Sequence, residues 1–504
     1  MEWFAHLAAV FEPLNLLILF LGVTGGLVLG AIPGVSPTLS VALLVPFTFH
    51  MAPTTGLILI GAVYASSIAG GAVSAILINV PGAPANIATT FDGHEMARQG
   101  RASEAMQYAF TSTLVGGVAG MLILIFLAPL FVDYVLRFGP AEMFWVAIVG
   151  ITIMASLGTG SLLKGLFGGA LGIWISTIGI SPATGQSRFV FTHHLDGGIH
   201  IVVALIAFFA IPQVFRLLES RAAVASQAVV SQASRLTTVV RNALGHRLAM
   251  GLGTLVGAIV GIIPGAGGQV ASIIGYDQVR KLSRDNATFG HGDPRGVVAS
   301  ESANSAMVGP SLIPLLGLGV PGSPTCAVLL GGLLIHGIFP GPKLFETSGG
   351  VIWPFLGALL LAQVLIFFVG LQLSRLGHLV TRVSPAHLAA GILVLSVIGT
   401  YSIQNNLGDV YVMAGLGVLM YLGIKGGFQP APVVLGVILG PIAEENFQMG
   451  RTLAGPSGSV LDYFTSGDIV QVLMALAVIS LAYGMLAPIW RARRRPATSV
   501  GAGL

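Results

Sequence analysis

The chain contains the segment Gly30-Ala31-Ile32-Pro33-Gly34 inside a long uncharged run, and Gly261-Ile262-Ile263-Pro264-Gly265 repeats it 231 positions later. Each segment is followed by a second break, Val80-Pro81-Gly82-Ala83-Pro84 in the first half and Val320-Pro321-Gly322-Ser323-Pro324 in the second, 240 positions apart. Proline and glycine free backbone amides and carbonyls, which membrane proteins tolerate only where the backbone lines a protein-enclosed or watery cavity. The sequence therefore indicates one unit written twice, with matched broken segments of the kind that form transporter binding sites.

The composition is that of a membrane protein. Charged residues make up 8% of the chain and hydrophobic residues 54%, and the mean hydropathy is +0.89, whereas a soluble domain has about 25% charged residues. No Asp, Glu, Lys or Arg occurs from Pro13 to Phe91 or from Ser302 to Pro342. One helical span needs only ~20 apolar residues, so each run must hold several passes or hairpins. We predict an all-α polytopic membrane protein with about ten to twelve membrane segments, some of them broken or re-entrant helices.

Basic residues divide the chain and orient it, because lysine and arginine accumulate in cytoplasmic loops. The tail contains Arg491 and Arg493 to Arg495, and the central polar stretch has five arginines opposed only by Glu219. Both stretches are expected on the cytoplasmic side, so the C-terminus is predicted to be cytoplasmic. The predicted organisation is an N-terminal membrane repeat, a basic linker, a C-terminal membrane repeat and a basic tail: 1–215, 216–247, 248–490 and 491–504.

The loops after equivalent breaks have opposite charge character. After the first break, the loop near 49–53 is uncharged, whereas its counterpart at 280–295 is basic. After the second break the bias is exchanged, because 92–101 is charged and 336–343 contains Lys343 as its only cation. Two copies inserted in opposite orientations would show this pattern, so the sequence predicts inverted repeats.

Four segments of the sequence resemble the TctA family. They are the early Gly-x-x-Pro-Gly, Leu77-Ile78-Asn79-Val80-Pro81-Gly82, Asp92-Gly93-His94 and Ile263-Pro264-Gly265-Ala266-Gly267. The similarity extends over nearly the whole chain. Members of the family are the large membrane subunits, or permeases, of bacterial tripartite tricarboxylate transporters. The resemblance implies a multi-pass secondary transporter of the inner membrane, not an enzyme, that moves a di- or tricarboxylate such as citrate with a cation gradient. It also implies two partners, a small four-helix membrane subunit (TctB-like) and a periplasmic solute-binding protein (TctC-like).

The residues themselves suggest how an anion could be held. The four breaks contain no Lys or Arg, whereas helix N-termini that follow them would present unpaired N–H groups and a partial positive charge. Side chains with hydroxyl or amide groups lie beside these N-termini, among them Thr89, Thr90 and Ser305. Alternatively, each Ser or Thr forms a hydrogen bond to the backbone of its own helix. The candidate substrate- or ion-binding residues are Pro33, Gly34, Ser36, Thr38, Ser40, Asn79, Pro81, Gly82, Asn86, Pro264, Gly265, Gly267, Gln269, Ser272, Asn304, Pro321, Gly322, Ser323 and Thr325.

The coupling ion is expected to be Na⁺ or H⁺, and no other cofactor or metal is expected. Carbonyl oxygens of broken helices suit a hard cation such as Na⁺. Proton coupling needs a titratable group, and the candidates are Glu301 and Asp409; alternatively, Glu301 is an interfacial carboxylate paired with Arg295, and Asp409 belongs to a polar loop. The adjacent pair His193-His194 lacks a third ligand at a suitable spacing for a metal site.

Other classes of protein fit less well. An intramembrane hydrolase would need a nucleophile beside a base, and no convincing pair occurs in the sequence. No Gly-x-x-x-x-Gly-Lys-Ser/Thr motif is present, so ATP is not expected to drive the protein. A passive channel and a scaffold with mere helix kinks remain alternatives to a carrier whose motif-bearing core moves against scaffold helices.

Overall fold

The described residues of the computed structural model are mainly helical, with one two-residue hairpin as the sheet, which confirms the predicted all-α class. His193-His194, Arg221 and the tail from Arg494 onward lie outside the described residues. The structure describes residues 7–135, 137–157, 161–181, 185–192, 195–219, 235–265, 267–380, 384–455 and 459–493.

In its described residues, the first half of the chain forms seven helices of ten or more residues. They are α1 (Pro13–Ala31), α2 (Pro37–Thr48), α3 (Pro53–Ile78), α4 (Ala102–Val135), α5 (Pro140–Leu157), α6 (Leu162–Ser176) and α7 (Ile201–Glu219). Between α3 and α4 the chain forms short turns, named here the 84–98 segment: Pro84–Asn86, Ile87–Thr89, Thr90–His94 and Glu95–Arg98. A two-residue hairpin pairs Gly179–Ile180 with Ser187–Arg188.

The second half repeats this order in its early part and ends in a helical bundle. Its helices are α8 (Leu236–Gly245), α9 (Arg247–Ile262), α10 (Gly267–Leu282), α11 (Pro294–Ala306), α12 (Leu312–Leu318), α13 (Pro324–Ile335), α14 (Gly349–Val380), α15 (Pro385–Gln404), α16 (Leu407–Lys425), α17 (Pro430–Ala454), α18 (Val460–Thr465) and α19 (Asp468–Arg493). Short turns lie at Ala8–Phe11, Asn286–Thr288 and Leu344–Thr347.

Many of the prolines begin helices. Pro37 begins α2 just after the first break of the first half, and Pro324, the last residue of the second break of the second half, begins α13. Proline suits this position because the N–H that it lacks would have no intrahelical partner, and its fixed φ is already helical. The Pro-rich breaks therefore end one helix and start the next.

Eight of the described helices are long and apolar enough to cross a membrane, and the pair α8 and α9, bent by 71°, makes up to nine. Four shorter apolar helices are additional: Pro37–Thr48, Pro140–Ile153, Leu162–Ser176 and Pro324–Ile335. The chain is therefore a polytopic membrane protein. The predicted number of ten to twelve membrane segments stays a prediction. It is reached only if some of the four short helices are counted as broken or re-entrant membrane segments.

The chain divides into two compact units that each draw on both halves of the sequence. The first comprises Met1–Arg137 and Thr192–Leu422, and the second comprises Phe138–Phe191 and Gly423–Leu504. All four breaks belong to the first unit. The boundaries of the predicted linker and tail are not tested by this division.

In the second unit, α5 and α6 pack against α17. A Cβ atom at Gly172 would overlap the carbonyl oxygen of Val433, and one at Gly436 would overlap that of Gly169. Glycine at these positions lets two helix backbones approach closely. The side chain of Arg188 binds Glu444 through two contacts of 2.7 and 3.1 Å.

In the first unit, equivalent helices of the two halves pack in the same way. Helix α1 packs along α3, and α9 packs along α11. A Cβ atom at Gly30 would overlap the carbonyl oxygen of Ser67, and one at Gly257 would overlap that of Ala303. In each half, the helix before the first break thus packs along a helix that precedes the second break; in the second half α12 follows α11 before that break.

The long helices after the second breaks exchange partners between the halves. Helix α4 of the first half packs on α11, and α14 of the second half packs on α3. Gly116 and Gly120 of α4 face the backbone carbonyls of Ser302 and Ala306, so the two helix backbones approach closely. These reciprocal contacts relate the two halves to each other; the opposite orientation of the repeats stays a prediction.

Candidate substrate and ion site

The two first breaks have the same backbone conformation. Gly34 has φ of 85° and Gly265 has φ of 78°, in the left-handed region that glycine adopts without steric cost. After the first of them, Ser36 caps α2 by accepting a hydrogen bond of 3.2 Å from the N–H of Leu39. Such a cap fixes the first turn of a helix whose other free N–H groups remain available.

The two second breaks also match. The C-cap residue of α3 is Asn79 with φ of 58°, and that of α12 is Gly319 with φ of 70°. Ser323 then caps α13 by accepting from the N–H of Cys326 at 3.2 Å. In the first half the corresponding start, at Pro84, opens a 3-10 turn instead of a regular helix.

Within each half, the two breaks lie against each other. The N–H of Gly265 donates to the carbonyl oxygen of Gly322 at 3.0 Å. In the first half, a Cβ atom at Gly82 would overlap the carbonyl oxygen of Gly30. The glycines therefore allow the backbone of one break to touch the backbone of the other.

The breaks also meet across the halves. The hydroxyls of Thr38 and Thr325, at the N-termini of α2 and α13, lie 2.9 Å apart in a buried hydrogen bond. A Cβ atom at Gly268, at the start of α10, would lie 2.9 Å from the Cβ of Ala85 in the 84–98 segment. The helix after each first break thus packs against the segment after the other half's second break.

Five of the predicted site residues make the contacts of this junction: Thr38, Gly82, Gly265, Gly322 and Thr325. Ser40 and Ser272 make the backbone bonds that the alternative interpretation predicts, to Ser36 and Gln269 at 3.1 and 3.2 Å. The partly buried residues are Pro33, Ser36, Pro81, Pro264, Gly265 and Gln269, and the exposed ones are Gly34 and Asn79. The buried ones are Thr38, Ser40, Gly82, Asn86, Gly267, Ser272, Asn304, Pro321, Gly322, Ser323 and Thr325.

Glu301 is completely buried in the second half of α11. Its Oε1 accepts hydrogen bonds from Asn86 Nδ2 at 3.2 Å and from the Thr89 hydroxyl, both in the 84–98 segment. The alternative pairing with Arg295 is wrong, because Arg295 binds Asp293 at 2.6 Å. Arg295, the nearest cation in sequence, lies at the start of α11 and pairs with Asp293 there.

Several polar atoms around Glu301 have no hydrogen-bond partner among the described residues. They are Oε2 of Glu301, Oδ1 of Asn86 and both side-chain atoms of Asn304. Asn304 is three residues after Glu301, on the same face of α11. A Cβ atom at Gly268 would lie 2.5 Å from Asn304 Oδ1, so this oxygen lies where α10 begins. Buried polar atoms without partners are rare in native structures, and each needs a partner such as a water or an ion.

Asp92 was not predicted as a contact residue. The sequence indicates a charged loop at 92–101, yet Asp92 lies buried in the π-helical turn Thr90–His94. Its Oδ1 accepts from the backbone N–H groups of Gly290, Gly292 and Asp293 at 2.8, 3.0 and 2.8 Å. Asp92 thereby ties the loop after the first half's second break to the loop after the second half's first break.

Asp293 caps α11, accepting from the N–H of Arg295 at 2.9 Å and pairing with its guanidinium. Burial acts to raise the pKa of Asp293, but the hydrogen bonds from Arg295 and Thr288 outweigh it, so the pKa lies below its usual value. The guanidinium also lies 5.0 Å from the ring centre of Phe289.

Asp409 is not in a loop as expected, because it lies buried in the first turn of α16.

This fold and site define a polytopic helical membrane protein whose two halves bring paired broken segments together, the arrangement typical of secondary transporters. Residues 16–435 match the model of the tripartite tricarboxylate transporter TctA family. The chain belongs to this family, and it is therefore a component of a tripartite tricarboxylate transporter.

Two proteins of Agrobacterium vitis are similar to it. The 52.8 kDa protein of the TAR-I ttuC' 3' region is 33% identical over 502 residues, covering 98% of each chain. The protein of the TAR-II ttuC' 3' region is 33% identical over 238 residues, covering 47% of this chain and 97% of the relative.

Proposed function

We propose that the protein is the substrate-translocating subunit of a cation-coupled carboxylate carrier of the bacterial inner membrane. Its substrate would be a di- or tricarboxylate such as citrate. The observation that supports this most directly is the junction of the four breaks, closed by the hydrogen bond of 2.9 Å between Thr38 and Thr325. A scaffold with simple kinks would not require four breaks to meet at one place.

Binding of a carboxylate at this junction would rely on neutral donors. The N-termini of α2, α10 and α13 follow breaks and contribute free N–H groups and the positive end of the helix dipole. Thr38 and Thr325 add hydroxyl donors between two of these N-termini. Such a site holds an anion without a Lys or Arg that would bind it too tightly to release.

Transport would follow alternating access of the junction to the two sides of the membrane. The first compact unit contains all four breaks, and we propose that it moves as the binding core while the second unit serves as scaffold. The repeats would be inverted and the C-terminus cytoplasmic, in line with the loop charges. Entry of one extra positive charge across ~100 mV gains about 2.3 kcal/mol, which can concentrate an anion.

The proposal includes two partners, a TctB-like small membrane subunit and a TctC-like periplasmic binding protein that delivers the substrate. It is tested by uptake of labelled citrate into proteoliposomes that contain both membrane subunits, with the binding protein outside. Uptake that needs all three proteins and an inward Na⁺ or H⁺ gradient supports the proposal. Uptake of another carboxylate under the same gradient corrects only the substrate, whereas equilibration without any gradient indicates a passive pore.

A further inference from the structure

We infer that a sodium ion binds at the open side of Glu301, in a group of residues named here the Glu301 cluster: Asn86, Thr89, Glu301 and Asn304. The ion would be held by the Glu301 carboxylate and the side-chain oxygen of Asn304. This inference rests on the proposed function only in that it identifies where the driving cation would bind. Binding itself can be measured without any transport.

The two oxygens of the Glu301 carboxylate have different surroundings. Oε1 is held by Asn86 and Thr89, whereas Oε2 has no partner in the described part of the chain. Among the described residues no basic side chain pairs with Glu301. Leaving a carboxylate buried without a counter-charge costs several kcal/mol, and a bound cation at Oε2 would remove this cost.

Asn304 supplies the second oxygen. It lies one turn after Glu301 on the same face of α11, is completely buried, and has both amide atoms without partners among the described residues. Its Oδ1 lies beside Gly268 at the start of α10. Asn86 and Thr89 touch the carboxylate from the 84–98 segment, so they act as positioning residues for the ligand.

The other half of the protein lacks the equivalent charge. In the register of 240 residues that relates the second breaks, Glu301 corresponds to Gly61, Asn304 to Tyr64 and Asn86 to Cys326. There the polar groups satisfy one another. The hydroxyl of Tyr64 lies 2.8 Å from Ser311 Oγ and 3.3 Å from Cys326 Sγ. At the corresponding positions these polar atoms thus have partners. The polar atoms without partners occur at the positions that include the Glu301 carboxylate.

The ligand chemistry favours Na⁺ over a proton or a divalent ion. A proton on Oε2 would be donated to a single acceptor such as Asn304 Oδ1, whereas one cation binds several oxygens at once. Carboxylate and amide oxygens suit hard cations. A single carboxylate balances one positive charge, and the described residues contain no group of three His, Cys, Asp or Glu side chains that could hold a metal ion.

The position of the cluster explains how ion and substrate would influence each other. Asn86 directly follows Ala85, which packs against Gly268, and the same segment begins two residues after Gly82 of the second break. An ion that pulls Glu301 and the start of α10 together would also fix the break next to the proposed substrate site. Binding of either ligand would then favour binding of the other.

The test is the thermal stability of the purified full-length chain in detergent as NaCl replaces choline chloride at constant ionic strength. We expect the Tm of the wild type to rise with Na⁺ concentration, because a ligand that binds only the folded state stabilises it. Glu301→Gln should lose this rise. Its Tm without Na⁺ should equal or exceed that of the wild type, since the substitution removes an uncompensated charge, whereas a purely structural Glu301 would give a lower Tm.

Two further variants separate the ligand from its supports. Thr89→Val should keep a rise in Tm but shift it to Na⁺ concentrations roughly 10–100-fold higher, as for loss of a group that orients a metal ligand. Cys326→Ser, at the position that corresponds to Asn86, should respond to Na⁺ as the wild type does. Binding of ²²Na⁺ to the same samples should follow the same order.

The inference is overturned if Glu301→Gln keeps the Na⁺ response, if KCl in place of NaCl gives an equal response, or if the wild type responds to pH and not to Na⁺. Citrate uptake driven by Na⁺ in proteoliposomes of Glu301→Gln would also overturn it while leaving the proposed function intact. Conversely, normal Na⁺ binding in a chain that transports no carboxylate would refute the proposed function and support the ion site.

Discussion

The hydroxyl of Tyr276 donates a hydrogen bond of 2.8 Å to Oδ2 of the buried Asp92. Oδ1 of the same carboxylate accepts three backbone N–H groups from the loop before α11. All four donors come from the second half of the sequence, and the acceptor comes from the first. Asp92 therefore acts as a clamp between the halves: it joins the 84–98 segment of the first half to α10 and to the loop before α11 in the second half.

Removal of the clamp should destabilise the fold. Tyr276→Phe deletes one donor to a buried carboxylate, and we expect a loss of roughly 1.5–3 kcal/mol, measured as a lower Tm. Asp92→Ala should cost more, because three N–H groups lose their acceptor. Asp277→Asn is the matched control, since it removes an exposed pair with Lys281 on the same helix and should change stability by less than about 0.5 kcal/mol. Equal effects of Tyr276→Phe and Asp277→Asn would contradict a clamp.

Two neighbouring glycines of α1 should differ sharply in their tolerance of a methyl group. A Cβ atom at Gly26 would overlap Ser66 Oγ and lie 3.0 Å from the Cα of Val63, whereas one at Gly25 would meet nothing within 4 Å. Gly26→Ala should therefore force α1 away from α3 at a cost of about 1–3 kcal/mol. Gly25→Ala should be neutral or stabilising by roughly 0.5–1 kcal/mol. Similar Tm values for the two variants would show that α1 does not pack so closely on α3.

The stability of the α11 start should depend on pH through Asp293. Its pKa is lower in the folded protein than in the unfolded chain, where it is about 3.9. The stabilisation by the charged form is therefore complete above about pH 4 and is lost as the pH falls through the lower folded pKa. Asp293→Asn keeps an equally good helix cap but loses the ion pair with Arg295.

We expect Asp293→Asn to be less stable than the wild type at neutral pH and to approach it below about pH 4. Thermal unfolding of both proteins over a series of pH values measures the difference. A difference in Tm that stays constant or grows on acidification would show that the pair with Arg295 does not stabilise the folded state.

The breaks and the start of helices could be predicted from the sequence because proline and glycine act locally. Pro324 begins α13 and Gly265 has a positive φ, as their chemistry requires, and the repeat of the pattern indicates two related halves. The family resemblance was confirmed over residues 16–435. The number of membrane segments could not be fixed, because length and hydropathy do not distinguish a short crossing helix from a buried one.

The partners of buried charges could not be predicted, since they are set by tertiary packing. Arg295 is close to Glu301 in sequence, but it pairs with Asp293, which is closer to Arg295. The carboxylate of Glu301 is instead bound by Asn86, which is 215 residues away in sequence. Asp92 looked like part of a solvated loop for the same reason. Its flanking glycine, Gly93, has no room for a Cβ atom beside Ile76, and only the folded chain shows this.

The hydroxyl pair at the junction gives a direct test of the proposed substrate site. Thr38→Val and Thr325→Val keep the side-chain shape but remove the donors between α2 and α13. If these hydroxyls bind the carboxylate, each substitution should weaken substrate affinity about 10–100-fold, the effect of losing a hydrogen bond to a charged group. The affinity is measured as the KM of uptake in the reconstituted transporter.

Thr55→Val provides the matched control for this pair. Thr55 donates to Asn15 Oδ1 at 2.8 Å in a buried hydrogen bond at the opposite end of α3 from Asn79. Its loss should lower the Tm by a similar amount but leave the KM unchanged. Because Thr38 and Thr325 are in contact, the double variant should also show an interaction energy of about 0.5–3 kcal/mol between them. A normal KM in both single variants, with a lowered Tm, would restrict the pair to holding the two helices together and would place the substrate elsewhere in the junction.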